Sequence, residues 1–145
     1  IAYAGTELVT YGLGSCIGLA LWSSSRQMGA LCHIVLPSSR GRPFDPANAA
    51  KYVDWAVPQA LRAFARRGIR KGDLVAKLAG GARTLGALSS DIGNQNAEAT
   101  LGALHDEGIR VVAKSLGGTV GRTIRFHPDT GRIDVRLVGG AHSTL

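Results

Sequence analysis

The chain has 145 residues, the ordinary length of one domain, and 45% of them are hydrophobic, which suits a globular protein with its own core. No apolar run reaches the length of about eighteen residues that a membrane span needs, so direct membrane insertion is not expected. The formal charge of +7 favours solubility and steering of an acidic partner; because the basic residues are scattered and not interleaved with aromatics, an acidic protein surface is favoured over nucleic acid.

The first third of the chain predicts three strands, at Glu7 to Tyr11, Ile17 to Trp22 and Met28 to Leu36. The second and third strands are joined by the polar turn Ser23 to Gln27. These strands are apolar on both faces, whereas a sheet covered on one side alternates apolar and polar residues. We therefore expect layers of structure to pack on both sides of this sheet.

A loop rich in serine, glycine, proline and arginine runs from Pro37 to Pro46. A helix is predicted to begin there, with Asp45 as its N-cap and Pro46 at its first position. Pro58 is predicted to kink or split this helix, and Gly68 to end it.

The second half of the chain predicts alternating strands and one helix. These elements are a strand at Leu74 to Ala79, a helix from about Asp91 or Asn94 to Glu107, a strand at Ile109 to Leu116, hairpin arms at Arg122 to His127 and Arg132 to Val138, and a frayed tail from Gly139. No linker interrupts the chain, so residues 1–145 are predicted to form one α/β domain, a layered α-β sandwich around a buried mixed or antiparallel sheet.

Two segments of the chain resemble each other. GIRKGDLVAKLAGGA begins at Gly68 and GIRVVAKSLGGT begins at Gly108; each follows a helix, supplies a strand and ends in Gly-Gly. They are interpreted either as two similar helix–strand units or, more specifically, as two Gly-Gly ends that line one cleft, where backbone can approach a ligand. The two interpretations are compatible.

The stretch GLGSC ends in Cys16, and His33 lies inside the apolar run CHIVLP. If the turn between the second and third strands centres between Ser24 and Ser25, Cys16 lies directly opposite His33 on the same face. A register shift of one residue places Cys16 opposite Ile34 instead. The spacing therefore permits a cysteine–histidine pair without requiring it.

A reacting pair needs this proximity, because a free thiol has a pKa of about 8.5 and a neighbouring imidazole can remove its proton. Backbone N–H groups near Gly14 and Ser15 are candidates for stabilising an oxyanion. The Thr10 hydroxyl is a candidate acceptor for the other ring N–H of His33. A cysteine and a histidine in neighbouring strands are nevertheless core residues more often than catalysts, so the spacing leaves both interpretations open.

The remaining cysteine and histidines predict no further chemistry. Cys32 points to the opposite face of the strand from His33 and is predicted to be a small buried hydrophobic residue. His105, His127 and His142 lie in separate elements without zinc-like spacing, so neither a metal nor a cofactor is expected. The two cysteines make no disulfide framework, and the sequence as printed opens without a basic-then-apolar leader, which predicts a reducing, cytoplasmic location.

Six segments occur in an order that carries a resemblance: LGSCIGLALW, GALCHIVLP, KYVDWAVPQAL, KLAGGA, IGNQNAEATLGAL and LGGTVGRTIRFHPDTGRIDVRL. Together, from about Thr6 to Leu137, they resemble the chemoreceptor glutamine deamidase family, CheD. The resemblance implies a fold similar to the catalytic domains of deamidating bacterial toxins. It also implies a triad with Cys16 as nucleophile, His33 as base and Thr10 as third member. Gly14, Ser15, Gly80 and Gly81 are the candidate oxyanion or substrate-binding residues.

The resemblance implies that a glutamine on the cytoplasmic helices of a chemotaxis receptor becomes glutamate, with release of ammonia through a thioester. The CheC phosphatase is a second implied partner. Two departures from the family pattern bear on how substrate is gripped: the segment RTLGALSSDIG after Ala82 lacks a methionine often present there, and Gln95 stands at a position that is often basic. The alternatives are a catalytically silent module that binds receptors or CheC, another thiol hydrolase or transferase, and a nucleic-acid binder.

Overall fold

The computed structural model describes residues 1–83 and 91–145, so most of the segment after Ala82 that departs from the family pattern lies outside the described residues. Within the described residues, the strands are β1 Ala2–Tyr3, β2 Leu8–Leu13, β3 Ile17–Ser23, β4 Met28–Ile34, β5 Val75–Gly80, β6 Arg110–Leu116, β7 Arg122–His127, β8 Arg132–Leu137 and β9 His142–Thr144. The helices are α1 Val53–Ala65 and α2 Ile92–Asp106.

The described strands form two sheets. The first has the order β1-β4-β3-β5-β6, in which β5 and β6 run parallel and the other pairs run antiparallel. The second is antiparallel throughout, with the order β2-β7-β8-β9. The predicted α/β class with a mixed sheet is confirmed.

The five-stranded sheet is covered on both faces, as the apolar strands predicted. On one face, Leu19, Leu21 and Ile34 pack with residues of both helices around the fully buried ring of Phe64. On the other face, Ala20 and Ala79 pack against Phe126 and Ile133 of the four-stranded sheet. Removing a large apolar side chain such as Phe64 from water contributes about 1.5–3 kcal/mol. The protein is thus a layered α-β sandwich in which β3, β4 and β5 are interior strands.

The first helix begins later than predicted. Asp45 does cap a turn, because its Oδ1 accepts from the Ala47 N–H at 2.9 Å, but this turn is a short 3₁₀ helix, Pro46–Asn48. The Lys51 carbonyl then accepts from the N–H groups of Val35 and Leu36, at 2.9 and 3.0 Å, and this pairing keeps the chain extended up to α1. The helix runs unbroken through Pro58, so of the two predicted effects the split is wrong, while the kink stays a prediction.

The predicted fraying of the tail is also wrong. Strand β9 pairs with β8, and Leu145 exchanges two backbone hydrogen bonds with Ile133, at 2.9 and 3.0 Å. The tail covers the edge of β8, whose backbone groups would otherwise be unpaired on that side. Neither α1 nor α2 is long and apolar enough to cross a membrane.

Candidate active site

The register of the β3–β4 hairpin differs from the one predicted. Gly18 lies opposite His33 and Ile17 opposite Ile34, so Cys16, which directly precedes β3, is not opposite His33. The turn centres one residue later than expected, and Gln27 adopts the left-handed conformation with φ of 46°. A displacement of two residues in the pairing preserves the face, whereas a displacement of one would reverse it. Cys16 and His33 are therefore diagonal neighbours on the face toward the four-stranded sheet.

His33 is hydrogen-bonded to a residue of the four-stranded sheet. The Oγ1 of Thr10, in β2, lies 2.8 Å from Nδ1 of the His33 ring. The register of β2 against β7 shifts just after Thr10, where Gly12 has a φ of 67°. Such a bulge changes the direction of the side chains beside it. Thr10 is buried and contacts His33, whereas the side chain of the next residue, Tyr11, is 67% exposed.

The residue opposite His33 is a glycine for a steric reason. A Cβ on Gly18 would lie 2.6 Å from Cδ1 of Ile124 and 2.9 Å from Cδ1 of Leu13, both of which belong to the contact between the two sheets. Because Gly18 has no side chain, the histidine has no opposing side chain on its own face of the hairpin. The space diagonal to His33 on this face is therefore available to Cys16.

The loop that carries Cys16 is anchored through its carbonyl oxygens. The Gly14 oxygen accepts from the Ala82 N–H at 2.8 Å, and the Cys16 oxygen accepts from the Gly81 N–H at 2.9 Å. The Ser15 oxygen accepts from Nδ2 of Asn96, in α2, at 2.9 Å. Three consecutive carbonyl groups are thus held by three separate donors.

Because of these hydrogen bonds, Gly14, Gly80 and Gly81 contribute to the site in a different way from the one predicted. The Gly81 N–H donates to the Cys16 carbonyl and the Gly14 N–H donates to the Gly12 carbonyl, so both donors are already engaged. Gly80 allows close approach, because a Cβ there would lie 2.0 Å from the Cys16 oxygen. Gly80 and Gly81 therefore hold the loop that carries Cys16 in place, Gly81 through its N–H and Gly80 by allowing close approach.

The anchors also orient the remaining backbone donors of the loop. In a trans peptide the N–H points opposite to the C=O, and no peptide bond of the described residues is cis. Since the Gly14 and Ser15 oxygens point to Ala82 and Asn96, the N–H groups of Ser15 and Cys16 point away from those supports. No backbone carbonyl of residues 1–83 or 91–145 accepts from either N–H.

The electrostatics favour a neutral thiol and a neutral ring in the free protein. Burial raises the pKa of Cys16 above its ordinary value, an effect that its own backbone N–H partly offsets, and burial lowers the pKa of His33. No hydrogen bond joins the Cys16 sulfur to the His33 ring in this arrangement. Both pKa directions and the lack of this contact favour the uncharged pair over a thiolate and imidazolium.

Residues of α2 complete the support of the site, and the sequence did not identify them. Asn96 is fully buried and also donates to the Val35 oxygen at 2.9 Å, just beyond the histidine strand. Gly93 packs on the Gly81 carbonyl, where a Cβ would lie 2.6 Å from the oxygen. Thr100 is buried and donates to the Asn96 carbonyl at 2.7 Å. A polar residue on the inner stripe of an amphipathic helix is the signal that could have indicated them.

The two Gly-Gly ends meet, as the more specific interpretation of the internal resemblance proposed. The Gly117 N–H donates to the Gly80 carbonyl at 2.9 Å, and Gly81, Gly117 and Gly118 line a cleft of about 210 Å³. Among the described residues, no three His, Cys, Asp or Glu side chains come together in a way that could hold a metal ion.

Comparison with known proteins identifies relatives of the whole chain. Residues 35–142 match the family model described as CheD chemotactic sensory transduction. A protein of Symbiobacterium thermophilum named probable chemoreceptor glutamine deamidase CheD is 46% identical over 143 residues, which cover 93% of this chain and 85% of the relative. Proteins of the same name from Archaeoglobus fulgidus and Clostridium novyi are 41% and 37% identical, over 94% and 96% of this chain and 87% and 88% of the relatives.

Proposed function

The chain belongs to the CheD family, and from that membership we infer that it is a chemoreceptor glutamine deamidase. We propose further that Cys16 is the nucleophile, His33 the general base and Thr10 the residue that orients the ring. The observation that carries this assignment is the 2.8 Å hydrogen bond between Thr10 Oγ1 and His33 Nδ1. It joins residues of two different sheets on the face of the β3–β4 hairpin to which Cys16 belongs, and a general base needs this kind of orienting partner.

The hydrogen bond supports a proposed role for each ring nitrogen. In the proposed mechanism Nδ1–H donates to Thr10 Oγ1, so Nε2 keeps its lone pair and takes the thiol proton. Because burial disfavours charge on both Cys16 and His33, proton transfer accompanies attack on the substrate and does not precede its binding.

The reaction proceeds in two halves. Cys16 loses its proton to Nε2 of His33, its sulfur bonds to the amide carbon of the glutamine, and the carbonyl oxygen becomes an oxyanion. The C–N bond then breaks, and the proton on His33 leaves with the nitrogen as ammonia. A water molecule gives a proton to His33 and attacks the thioester. The C–S bond breaks, the proton returns to sulfur, and glutamate is released.

The oxyanion donors we propose are the N–H groups of Ser15 and Cys16. They are held by the anchored carbonyls of the cysteine loop and point away from Ala82 and Asn96. Donors fixed before the reaction stabilise the oxyanion without reorganisation, and the loss of one such donor costs about 10²–10³ in kcat in other enzymes.

The substrate we propose is a glutamine on the cytoplasmic helices of a chemotaxis receptor. The net charge of +7 favours encounter with an acidic helical bundle. Deamidation replaces a neutral amide with a carboxylate, and this charge change alters helix packing in the receptor. Cytoplasmic location follows from the substrate segment, and the two free thiols suit a reducing compartment.

Intact-mass analysis tests the assignment directly. A receptor cytoplasmic fragment incubated with the protein should gain about one mass unit per modified glutamine, with one ammonia released for each. Cys16→Ala should give no mass change, while Cys32→Ala should act like the parent protein. Deamidation by Cys16→Ala would refute the nucleophile assignment, and binding of the fragment without any mass change by the parent would favour a silent interaction module.

The CheC phosphatase is the second partner we propose, on the strength of the family resemblance alone. Both partners are expected to use the same region of the protein. Added CheC should therefore slow deamidation competitively, raising KM for the receptor fragment with kcat unchanged. A fall in kcat at unchanged KM would place CheC at a different surface.

A further inference from the structure

We propose that Asn96 is a positioning residue for the deamidation: its side-chain amide holds the Ser15–Cys16 peptide group in the orientation that presents the Cys16 N–H to the reacting atoms. This inference rests on the proposed function and deepens it. Asn96 lies in α2, outside the triad, and acts through the backbone of the nucleophile loop.

The geometry gives Asn96 a specific pair of contacts. Its Nδ2 donates to the Ser15 oxygen and to the Val35 oxygen, each at 2.9 Å. The first acceptor belongs to the peptide group whose N–H is that of Cys16, and the second lies two residues after His33. One amide group therefore ties the nucleophile loop to the end of the histidine strand.

The hydrogen bond from Asn96 to the Ser15 oxygen orients the Ser15–Cys16 peptide group, because the C=O and N–H of a peptide group point in opposite directions. With the Ser15 oxygen held by Asn96, the Cys16 N–H points to the opposite side, away from α2. The same N–H favours the ionised form of the Cys16 sulfur, since it lowers the pKa that burial raises. Rotation of this peptide would remove that N–H both from the sulfur and from the proposed oxyanion position.

The contacts of Asn96 use the two donors of its amide and leave its acceptor unused. The side chain is fully buried, yet its Oδ1 has no hydrogen-bond partner among residues 1–83 and 91–145. The unpaired acceptor is unfavourable, and it is offset by the two backbone carbonyls that the amide satisfies, which would lose this partner if Asn96 alone were replaced. The feature that an apolar side chain cannot supply is the pair of N–H donors.

The test uses two readouts, one of which requires no deamidation. In a Cys32→Ala background, which leaves one thiol, the rate of Cys16 alkylation by iodoacetamide is measured against pH. Asn96→Ala should raise the apparent pKa of the Cys16 thiol by about one unit, because the ionised sulfur loses a hydrogen bond. In the deamidation assay the same substitution should lower kcat by about 10² and change KM by less than about threefold.

One variant of the same helix serves as the control. Leu104→Ala opens a cavity at the far end of the buried stripe of α2. It should lower the melting temperature, yet leave the pKa of the Cys16 thiol and kcat close to those of the parent. Asn96→Asp, which keeps the volume but loses both donors, should reproduce Asn96→Ala, so one of the two remains informative if the other does not fold.

The outcomes separate the two proposals. If Asn96→Ala and Asn96→Asp leave both the alkylation profile and kcat unchanged while Cys16→Ala abolishes deamidation, the positioning role is refuted and the nucleophile assignment stands. If Cys16→Ala still deamidates, the nucleophile assignment fails, and the alkylation profile still reports whether Asn96 orients the peptide. If the Leu104→Ala control shifts both readouts as strongly as Asn96→Ala, the effect is general destabilisation and the positioning role is refuted.

Discussion

The two faces of the five-stranded sheet carry the same number of cysteines but different surroundings. Cys32 packs into the apolar cluster between the sheet and the helices, and burial raises the pKa of its thiol to about 11. Cys16 lies on the face toward the second sheet, the face on which a buried threonine is hydrogen-bonded to a half-buried histidine, and its own N–H offsets part of the pKa shift that burial causes. Both cysteines are partly exposed, so the difference lies in their surroundings: glycine-lined strands leave room for polar groups on the face of Cys16, whereas the face of Cys32 is apolar.

The largest expected effect tests the difference between the two cysteines. Cys16→Ala should abolish ammonia release from a receptor fragment, whereas Cys32→Ala should retain most of the parent rate because the Cys32 sulfur lies across the sheet from the proposed triad. Coupled measurement of ammonia and of the fragment's mass checks both variants. An essential Cys32 together with a dispensable Cys16 would reverse the assignment of the two faces.

The next effect concerns the two polar groups on the reactive face. His33→Ala removes the proposed general base and should lower kcat by about 10²–10⁴. Thr10→Val keeps the shape but removes the acceptor for Nδ1–H, and the loss should be smaller, about tenfold, because the ring remains in place. Steady-state kinetics on the receptor fragment measures both.

The control for these variants is His105→Ala, whose side chain is 90% exposed on α2. It should leave kcat unchanged. A larger loss from Thr10→Val than from His33→Ala would mean that Thr10 takes a direct part in proton transfer and that the proposed roles are misassigned.

Much of this comparison could be predicted from the sequence. The apolar runs of β3 and β4 predicted a sheet covered on both faces, and the structure confirms this. The alternation of side chains along a strand predicted that Cys32 and His33 lie on opposite faces of the sheet, and this is confirmed too. The family resemblance is confirmed by relatives, while the likeness to toxin domains and the catalytic roles remain predictions.

What the sequence could not supply depends on contacts between distant segments. The hairpin register follows from a left-handed Gln27 in a turn that has no glycine or asparagine to mark its centre. The delayed start of α1 follows from Lys51 pairing with the end of β4, and the ordered tail from pairing with β8. The carbonyls that Asn96 binds lie 81 and 61 residues away, so no local pattern identifies them.

A pH profile sharpens the electrostatic difference between the two faces. Burial lowers the pKa of His33 and raises that of Cys16, and both shifts favour the uncharged forms of the two groups around neutral pH. As pH falls through the lowered pKa of His33, this proposed base becomes protonated and kcat/KM should fall about tenfold per pH unit. The plateau should begin below neutral pH. Rapid alkylation of Cys16 by iodoacetamide near about pH 5 would instead indicate a thiolate–imidazolium pair in the free protein.

The smallest expected effect tests how tightly the reactive face is packed. Gly29 lies in β4, where a Cβ would be 2.2 Å from Cε1 of the fully buried Phe126 ring of the second sheet. Because that ring is fully buried between the two sheets and would have to shift, Gly29→Ala should lower the free energy of unfolding by about 1–3 kcal/mol.

The matched substitution lies on the exposed face of α2. A Cβ on Gly102 meets nothing within 4 Å, so Gly102→Ala should raise the free energy of unfolding by about 0.5–1 kcal/mol through helix propensity. Urea titration monitored by circular dichroism measures both variants. If Gly29→Ala proved as harmless as Gly102→Ala, the two sheets could separate locally at little cost, and the close packing that we hold responsible for keeping Thr10 on His33 would not be rigid.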